Sequence, residues 1–130
     1  MVDTSQRVLI VDDDVRTARL LARLLRDDGF VVELAADGAA AIARLARAPV
    51  PDALVTDLRM PHADGVAVAR YARSRRSHIP VFIVTGYPTL VPRAVDEQCP
   101  SGGDPDTQVF PKPLAYADLT EALRVALDRA

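Results

Sequence analysis

Short apolar runs alternate along the chain with longer stretches whose apolar residues recur every three or four positions. Val8-Leu9-Ile10-Val11 is a continuous apolar run that ends in acids, the pattern of a strand buried on both faces. From Val15 to Asp27 the residues Ala18, Leu21, Ala22 and Leu25 fall on one side of a helix, which Gly29 stops. Phe30 to Ala35 reads as a second strand, and Asp37 can cap a helix carrying Ala39, Ile42 and Ala46 that Pro49 ends. Asp52 to Asp57 is a third strand ending in an acid. Asp64 caps a helix to about Ser74, and Val81-Phe82-Ile83-Val84 is a fourth strand. Val109-Phe110 marks a fifth. Ala115 to Arg129 is a closing helix with Leu119, Ala122, Leu123, Val125 and Ala126 toward the core.

Short apolar strands joined by helical connections predict an α/β fold, a parallel sheet covered by helices on both sides. In such folds ligands sit beyond the carboxyl ends of the strands, where the strand order reverses. The residues at those ends are Asp12, Asp13, Asp57, Thr85 and Lys112. The stretch from Pro88 to Pro105 breaks the rhythm with four prolines, Gly102 and Gly103. It predicts loop, with at most one helical turn around Arg93 to Gln98.

Composition narrows the classes. A length of 130 residues predicts a single domain spanning 1–130. With 49% hydrophobic and 26% charged residues the chain is of folded rather than disordered type. Sixteen basic against eighteen acidic residues give a net charge of −2, without the basic excess of a nucleic-acid-binding domain. No apolar stretch approaches the roughly 20 residues of a membrane helix, and Asp12 to Asp14 cut off the first apolar run too early for a secretory signal. The expected location is the cytoplasm. Cys99 stands alone, so no internal disulfide can form and it reads as a reduced loop cysteine. His62 and His78 have no cysteine pair beside them to make a zinc site, and both read as surface residues. Fifteen of the sixteen basic residues are arginine; Lys112 is the only lysine.

Carboxylates gathered at one sheet edge repel each other unless a cation sits among them; otherwise one takes up a proton. Mg²⁺ suits such a site, because it binds through one or two carboxylates, keeps waters and accepts phosphate oxygens. A carboxylate can also attack phosphorus and form an acyl phosphate. A lysine ammonium would neutralise charge on the moving phosphoryl group, and Thr85 with the Gly86 backbone could hydrogen-bond it. Taken singly, each residue has a plainer reading: a strand-end Asp is usually a turn residue or a helix cap, and Asp14 fits that reading.

The motifs Val8-Leu9-Ile10-Val11-Asp12-Asp13-Asp14, Asp57-Leu58-Arg59-Met60-Pro61 with Asp64-Gly65, Val84-Thr85-Gly86-Tyr87 and Lys112-Pro113-Leu114 together resemble the receiver domain of two-component response regulators over the whole chain. The resemblance implies a doubly wound sheet of five parallel strands in order 2-1-3-4-5, flanked by helices. It implies that Asp57 accepts a phosphoryl group from a histidine kinase or a histidine phosphotransfer protein. Asp12, Asp13, Asp57 and the Arg59 backbone carbonyl would hold Mg²⁺, with Thr85, Gly86 and Lys112 on the phosphate. A domain of this kind is a signalling module, not a metabolic enzyme. It acts on an output domain or downstream protein, with no direct contact to nucleic acid or membrane, and can form a homodimer.

The chain departs from the family pattern in three places. The aromatic residue usual three positions before the lysine is replaced by Val109, and Phe110 beside it faces the other side of the strand. Thr85 to Lys112 is also longer than usual, which predicts an irregular or shortened helix between the fourth and fifth strands. Pro111 removes a ladder donor and is tolerable only on an edge strand. These departures leave open a degenerate receiver whose output does not depend on phosphate. Asp12-Asp13-Asp14-Val15 also fits the signature of haloacid-dehalogenase-type phosphohydrolases, in which Asp12 would be nucleophile and Asp14 general acid. Arg16, Arg19, Arg23 and Arg26 form a basic stripe on the first helix: a solvated face partly paired with acids, or a docking face for an acidic partner helix.

Overall fold

The computed structural model describes residues 6–58, 64–86 and 106–128. The elements run β1 (Arg7–Val11), α1 (Val15–Asp27), β2 (Val31–Ala35), α2 (Gly38–Leu45), β3 (Ala53–Asp57), α3 (Gly65–Arg75), β4 (Val81–Thr85), β5 (Thr107–Pro111) and α4 (Tyr116–Asp128). All strand pairs are parallel, and the order is β2-β1-β3-β4-β5. The chain therefore winds first to one side of β1 and then to the other. The reversal opens a crevice between the carboxyl ends of β1 and β3.

The first three helices start at their predicted caps. The Asp14 carboxylate accepts from the Arg16 and Thr17 amides, Asp37 from the Ala40 amide and Asp64 from the Ala67 amide. Gly29 ends the first helix with φ +98°, a conformation costly for a residue with a Cβ.

Two apolar layers enclose the sheet. On one face Val8, Ile10, Val55, Phe82 and Val84 meet Ala18, Leu21, Ala22 and Leu25 of α1 and Leu119, Leu123 and Leu127 of α4. On the other, Leu9, Val11, Leu54, Val81 and Ile83 meet Ala41 and Leu45 of α2 and Val68 and Ala72 of α3. The central strands are buried on both faces, which is why they read as unbroken apolar runs rather than as alternation.

One inward-facing assignment needs correction. In α4 the buried stripe is Leu119, Thr120, Leu123 and Leu127, with Ala122 and Ala126 at its margin; Val125 is 52% exposed. Two residues on from Leu123 is about 200° around the helix, so Val125 faces solvent. Leu123→Ala is accordingly expected to cost about 2–5 kcal/mol in chemical denaturation, whereas Val125→Ala should stay within about 0.5 kcal/mol. Equal costs would contradict this burial pattern. In α2 the buried residues are Gly38, Ala41 and Leu45, while Ala39 and Ala46 are exposed. Nearly every position of Gly-Ala-Ala-Ala-Ile-Ala-Arg-Leu is apolar or small, so the pattern did not single out one face.

The β5 edge accommodates Pro111 as expected. The Lys112 amide donates to the Thr85 carbonyl at 2.9 Å, and strand alternation then turns the Pro111 nitrogen away from the sheet. At the opposite edge the Arg26 guanidinium donates to the Val32 carbonyl at 2.8 Å, covering part of the unpaired strand. The expected irregular or shortened helix between β4 and β5 falls on residues 87–105 and lies outside the described residues, as do Cys99, His62 and Tyr87. His78 is at the surface, with its ring nitrogen 3.3 Å from Asp106.

Candidate functional site

Strand register brings the chemistry together. Val11 pairs with Thr56, so Asp12 and Asp57 leave the sheet side by side. Asp57 pairs with Val84, and Thr85 with Pro111, so Thr85 and Lys112 follow at the same end. The Asp12 amide is bonded to the Ala35 carbonyl at 3.1 Å, which fixes the last residue of the β1 run before the chain turns into α1.

Asp12, Asp13 and Asp57 each offer a carboxylate oxygen, and these oxygens lie within 4.8 Å of one another. Asp12 is 9% exposed and the Asp57 side chain 12%, whereas Asp13 is exposed. Burial pushes the Asp12 carboxyl above its ordinary range. The Asp14 amide, which donates to its Oδ1 at 2.9 Å, and the Lys112 charge pull it down, while Asp57 and Asp13 push it up. This is the donor set and charge imbalance that a hard dication relieves.

Lys112 Nζ stands 3.1 Å from Asp57 Oδ2. β4 lies between the strands that carry them. Two strand spacings come to about 10 Å, a gap that a lysine arm and an aspartate can close together. Thr85 is 1% exposed beneath this mouth, and Gly86 has no atom of the described residues within 4 Å of where a Cβ would project. A cavity of about 360 Å³ adjoins the cluster, lined by Asp12, Asp57 and Lys112, by Leu20 and Leu24 of α1, and by Leu114 from the connection after β5.

Asp14 is outside the cluster. Its carboxylate is engaged by the Arg16 and Thr17 amides and the Thr17 hydroxyl, which hold its pKa below the usual range. A phosphohydrolase using Asp12 as nucleophile and Asp14 as acid lacks its acid here. Val109 packs on the α2–α3 side. Phe110 packs on the other side, its ring 6.2 Å from that of Phe82. The Arg59 carbonyl lies outside the described residues. Sequence reasoning missed the role of Gly65, whose amide donates to the Leu58 carbonyl at 2.8 Å; only its place after Asp64 hinted at it.

The comparisons agree with this geometry. Residues 8–124 match the family described as response regulator receiver domain. The response regulator MprA of Mycobacterium ulcerans is 37% identical over 125 residues, 96% of this chain and 51% of the relative; the chain thus spans about half the length of the curated relatives it matches. A response regulator receiver protein from Sinorhizobium medicae superposes with a TM-score of 0.81 at 30% identity over 95% of each chain. The receiver domain of sensor histidine kinase PA1611 from Pseudomonas aeruginosa, solved with a magnesium ion coordinated in its active-site cleft, gives 0.77 at 26% identity over 96% of this chain and 99% of that one. With its strand order, its acidic crevice and a family match over nearly its whole length, this chain belongs to the response regulator receiver domains of two-component signalling.

Proposed function

We propose that residues 1–130 form one receiver domain that takes a phosphoryl group onto Asp57 and signals through the resulting change in charge. The observation that carries this reading is the placement of Asp57: its carboxylate is shared between two further acids and the ammonium of the only lysine in the chain.

The donor is a phosphohistidine on a histidine kinase or phosphotransfer protein. An Asp57 oxygen attacks phosphorus, the phosphorus–nitrogen bond breaks, and the imidazole leaves with the electron pair and takes up a proton. The product is an aspartyl phosphate. Asp12, Asp13 and Asp57 would hold Mg²⁺, with the Arg59 backbone carbonyl as a further ligand. Bound there, Mg²⁺ would supply positive charge to offset that on the phosphoryl oxygens. Lys112 offsets the remaining negative charge, and Thr85 and the Gly86 amide offer hydrogen bonds to the phosphate. The phosphate adds nearly two negative charges at one point, which draws the end of β4 inward and biases a two-state surface near β5. The role is that of a signalling acceptor, turning over nothing but its own phosphate.

Incubation with acetyl phosphate and Mg²⁺, borohydride reduction and peptide mapping should place the label on Asp57. A label on Asp12 would overturn the reading in favour of phosphohydrolase-type chemistry.

The basic stripe bears on the partner. Arg26 is committed to the Val32 carbonyl, while Arg16, Arg19 and Arg23 are exposed and make no ion pair with any described residue. Leu20 beside them is 60% exposed. We assign this face to docking of an acidic partner helix. Reversing all three arginines to Glu should slow phosphotransfer from the cognate kinase about tenfold at low salt, with acetyl phosphate labelling unchanged. Equal rates from the kinase would reduce the stripe to a solvated face. No helix among the described residues is long and apolar enough to cross a membrane.

A further inference from the structure

We infer that Gly65 is a positioning residue for Asp57, by allowing the first turn of α3 to press directly on the backbone that carries the phosphoacceptor. The inference rests on the reading of Asp57 as the acceptor and deepens it.

A Cβ on Gly65 would lie 2.3 Å from the Asp57 carbonyl oxygen and 3.1 Å from the Leu58 Cα. Ordinary contact is more than 1 Å longer than the first of these. Both obstacles are backbone, so no side chain can rotate away. Left-handed geometry is not the reason for glycine here; the reason is close approach. The same Asp57 carbonyl accepts from the Thr56 hydroxyl at 2.8 Å, and the Gly65 amide closes on the Leu58 carbonyl at 2.8 Å. The Asp57 carbonyl is therefore held by its own strand through Thr56 and abutted by α3 at Gly65, while the Gly65 amide ties down the next carbonyl, that of Leu58.

α3 cannot retreat freely to admit a methyl group. Val68 and Ala72, one and two turns along, are fully buried against the α2–α3 side of the sheet. Asp64 also anchors the helix start through the Ala67 amide at 2.9 Å. The remaining way to relieve the clash is to move Asp57 along the crevice. Its Oδ2 stands 3.1 Å from Lys112 Nζ, and its carboxylate shares a cluster 4.8 Å across with Asp12 and Asp13. A displacement near 1 Å breaks such contacts, and misplacement of a reacting group by that amount can cost about 100-fold in rate.

Gly65→Ala tests this against Leu45→Ala, a cavity in the same core layer but in the last turn of α2, away from the strand ends. Three measurements are made on each folded variant: Mg²⁺ affinity by titration, amide NMR shifts of Asp12, Asp57 and Lys112 without metal, and the rate of labelling by acetyl phosphate. Gly65→Ala should weaken Mg²⁺ binding about tenfold, move those three amides and slow labelling by a larger factor. Leu45→Ala should leave Mg²⁺ affinity within about twofold however much stability it loses. Wild-type affinity and shifts in Gly65→Ala would overturn the inference, and so would equal losses in the two variants. If Gly65→Ala does not fold, Thr56→Val decides, because it removes the hydrogen bond to the carbonyl that Gly65 abuts, with little change of volume. A loss of about threefold or more in Mg²⁺ affinity then supports the inference, and no change overturns it. Should wild-type protein take no label on Asp57 while Gly65→Ala still loses Mg²⁺ affinity, the positioning role stands and the phosphoacceptor reading falls.

Discussion

Asp57→Asn is expected to keep the fold and to lose labelling by acetyl phosphate to below about one thousandth of the wild-type rate. The substitution keeps the shape of the side chain and removes its nucleophilic charge. Asn can still accept from Lys112 through its amide oxygen, so the 3.1 Å contact survives in weaker form and the end of β3 needs no repacking. What disappears is a carboxylate able to form an acyl phosphate. Intact-mass analysis and borohydride mapping read the result directly. Full labelling of the variant would place the reactive oxygen elsewhere, with Asp12 the first candidate because its carboxylate shares the cluster. Partial labelling at Asp13 would point to a site organised by charge alone rather than by register.

Much of the fold and the site was legible in the sequence, for reasons that can be stated residue by residue. β1, β3 and β4 are sealed by helices on both faces, and a strand so placed must be apolar at nearly every position. Val8 to Val11 and Val81 to Val84 therefore stand out without alternation. Asp12, Asp57 and Lys112 were readable as one site because a parallel sheet sends every strand end to the same side, whatever the separation along the chain. The opposite sides of Val109 and Phe110 follow from strand alternation alone, and the structure places them on the α2–α3 and α1–α4 sides respectively. Phe110 packs against Phe82, the two rings tilted and 6.2 Å apart, instead of facing α3.

Other features depend on packing that no local pattern encodes. The buried stripe of α2 is set by how an alanine-rich helix rolls against β1 and α3. The orientation of Val125 follows from where α4 meets the sheet. The contact of Gly65 with Asp57 joins residues eight apart across a strand-to-helix connection. Its signature is a single glycine at a helix start, which sequence alone assigns to ordinary capping.

The charge balance of the crevice yields a result with opposite signs in the presence and absence of metal. Asp12 is nearly buried, and burial is the chief cause of its raised pKa, with the Asp57 and Asp13 charges adding to it. The folded state therefore holds this proton more tightly than the unfolded state does. Stability of the metal-free protein should fall as pH rises from the ordinary value of 3.8 through the raised folded-state value, with the cost complete above it. Asp12→Asn removes that slope. The Asn oxygen can still accept from the Asp14 amide, as Oδ1 does at 2.9 Å, so the variant should gain on the order of 1 kcal/mol at neutral pH in EDTA. With Mg²⁺ the order reverses. Wild-type protein at 100 times its dissociation constant gains about 2.7 kcal/mol, while the variant, its binding weakened about 100-fold by loss of a charged ligand, gains less than about 0.5 kcal/mol at the same concentration. Thermal melts of both proteins with EDTA and with Mg²⁺ should cross. If Asp12→Asn melts lower than wild type in both conditions, Asp12 stabilises the fold by its charge and is not held there for a cation.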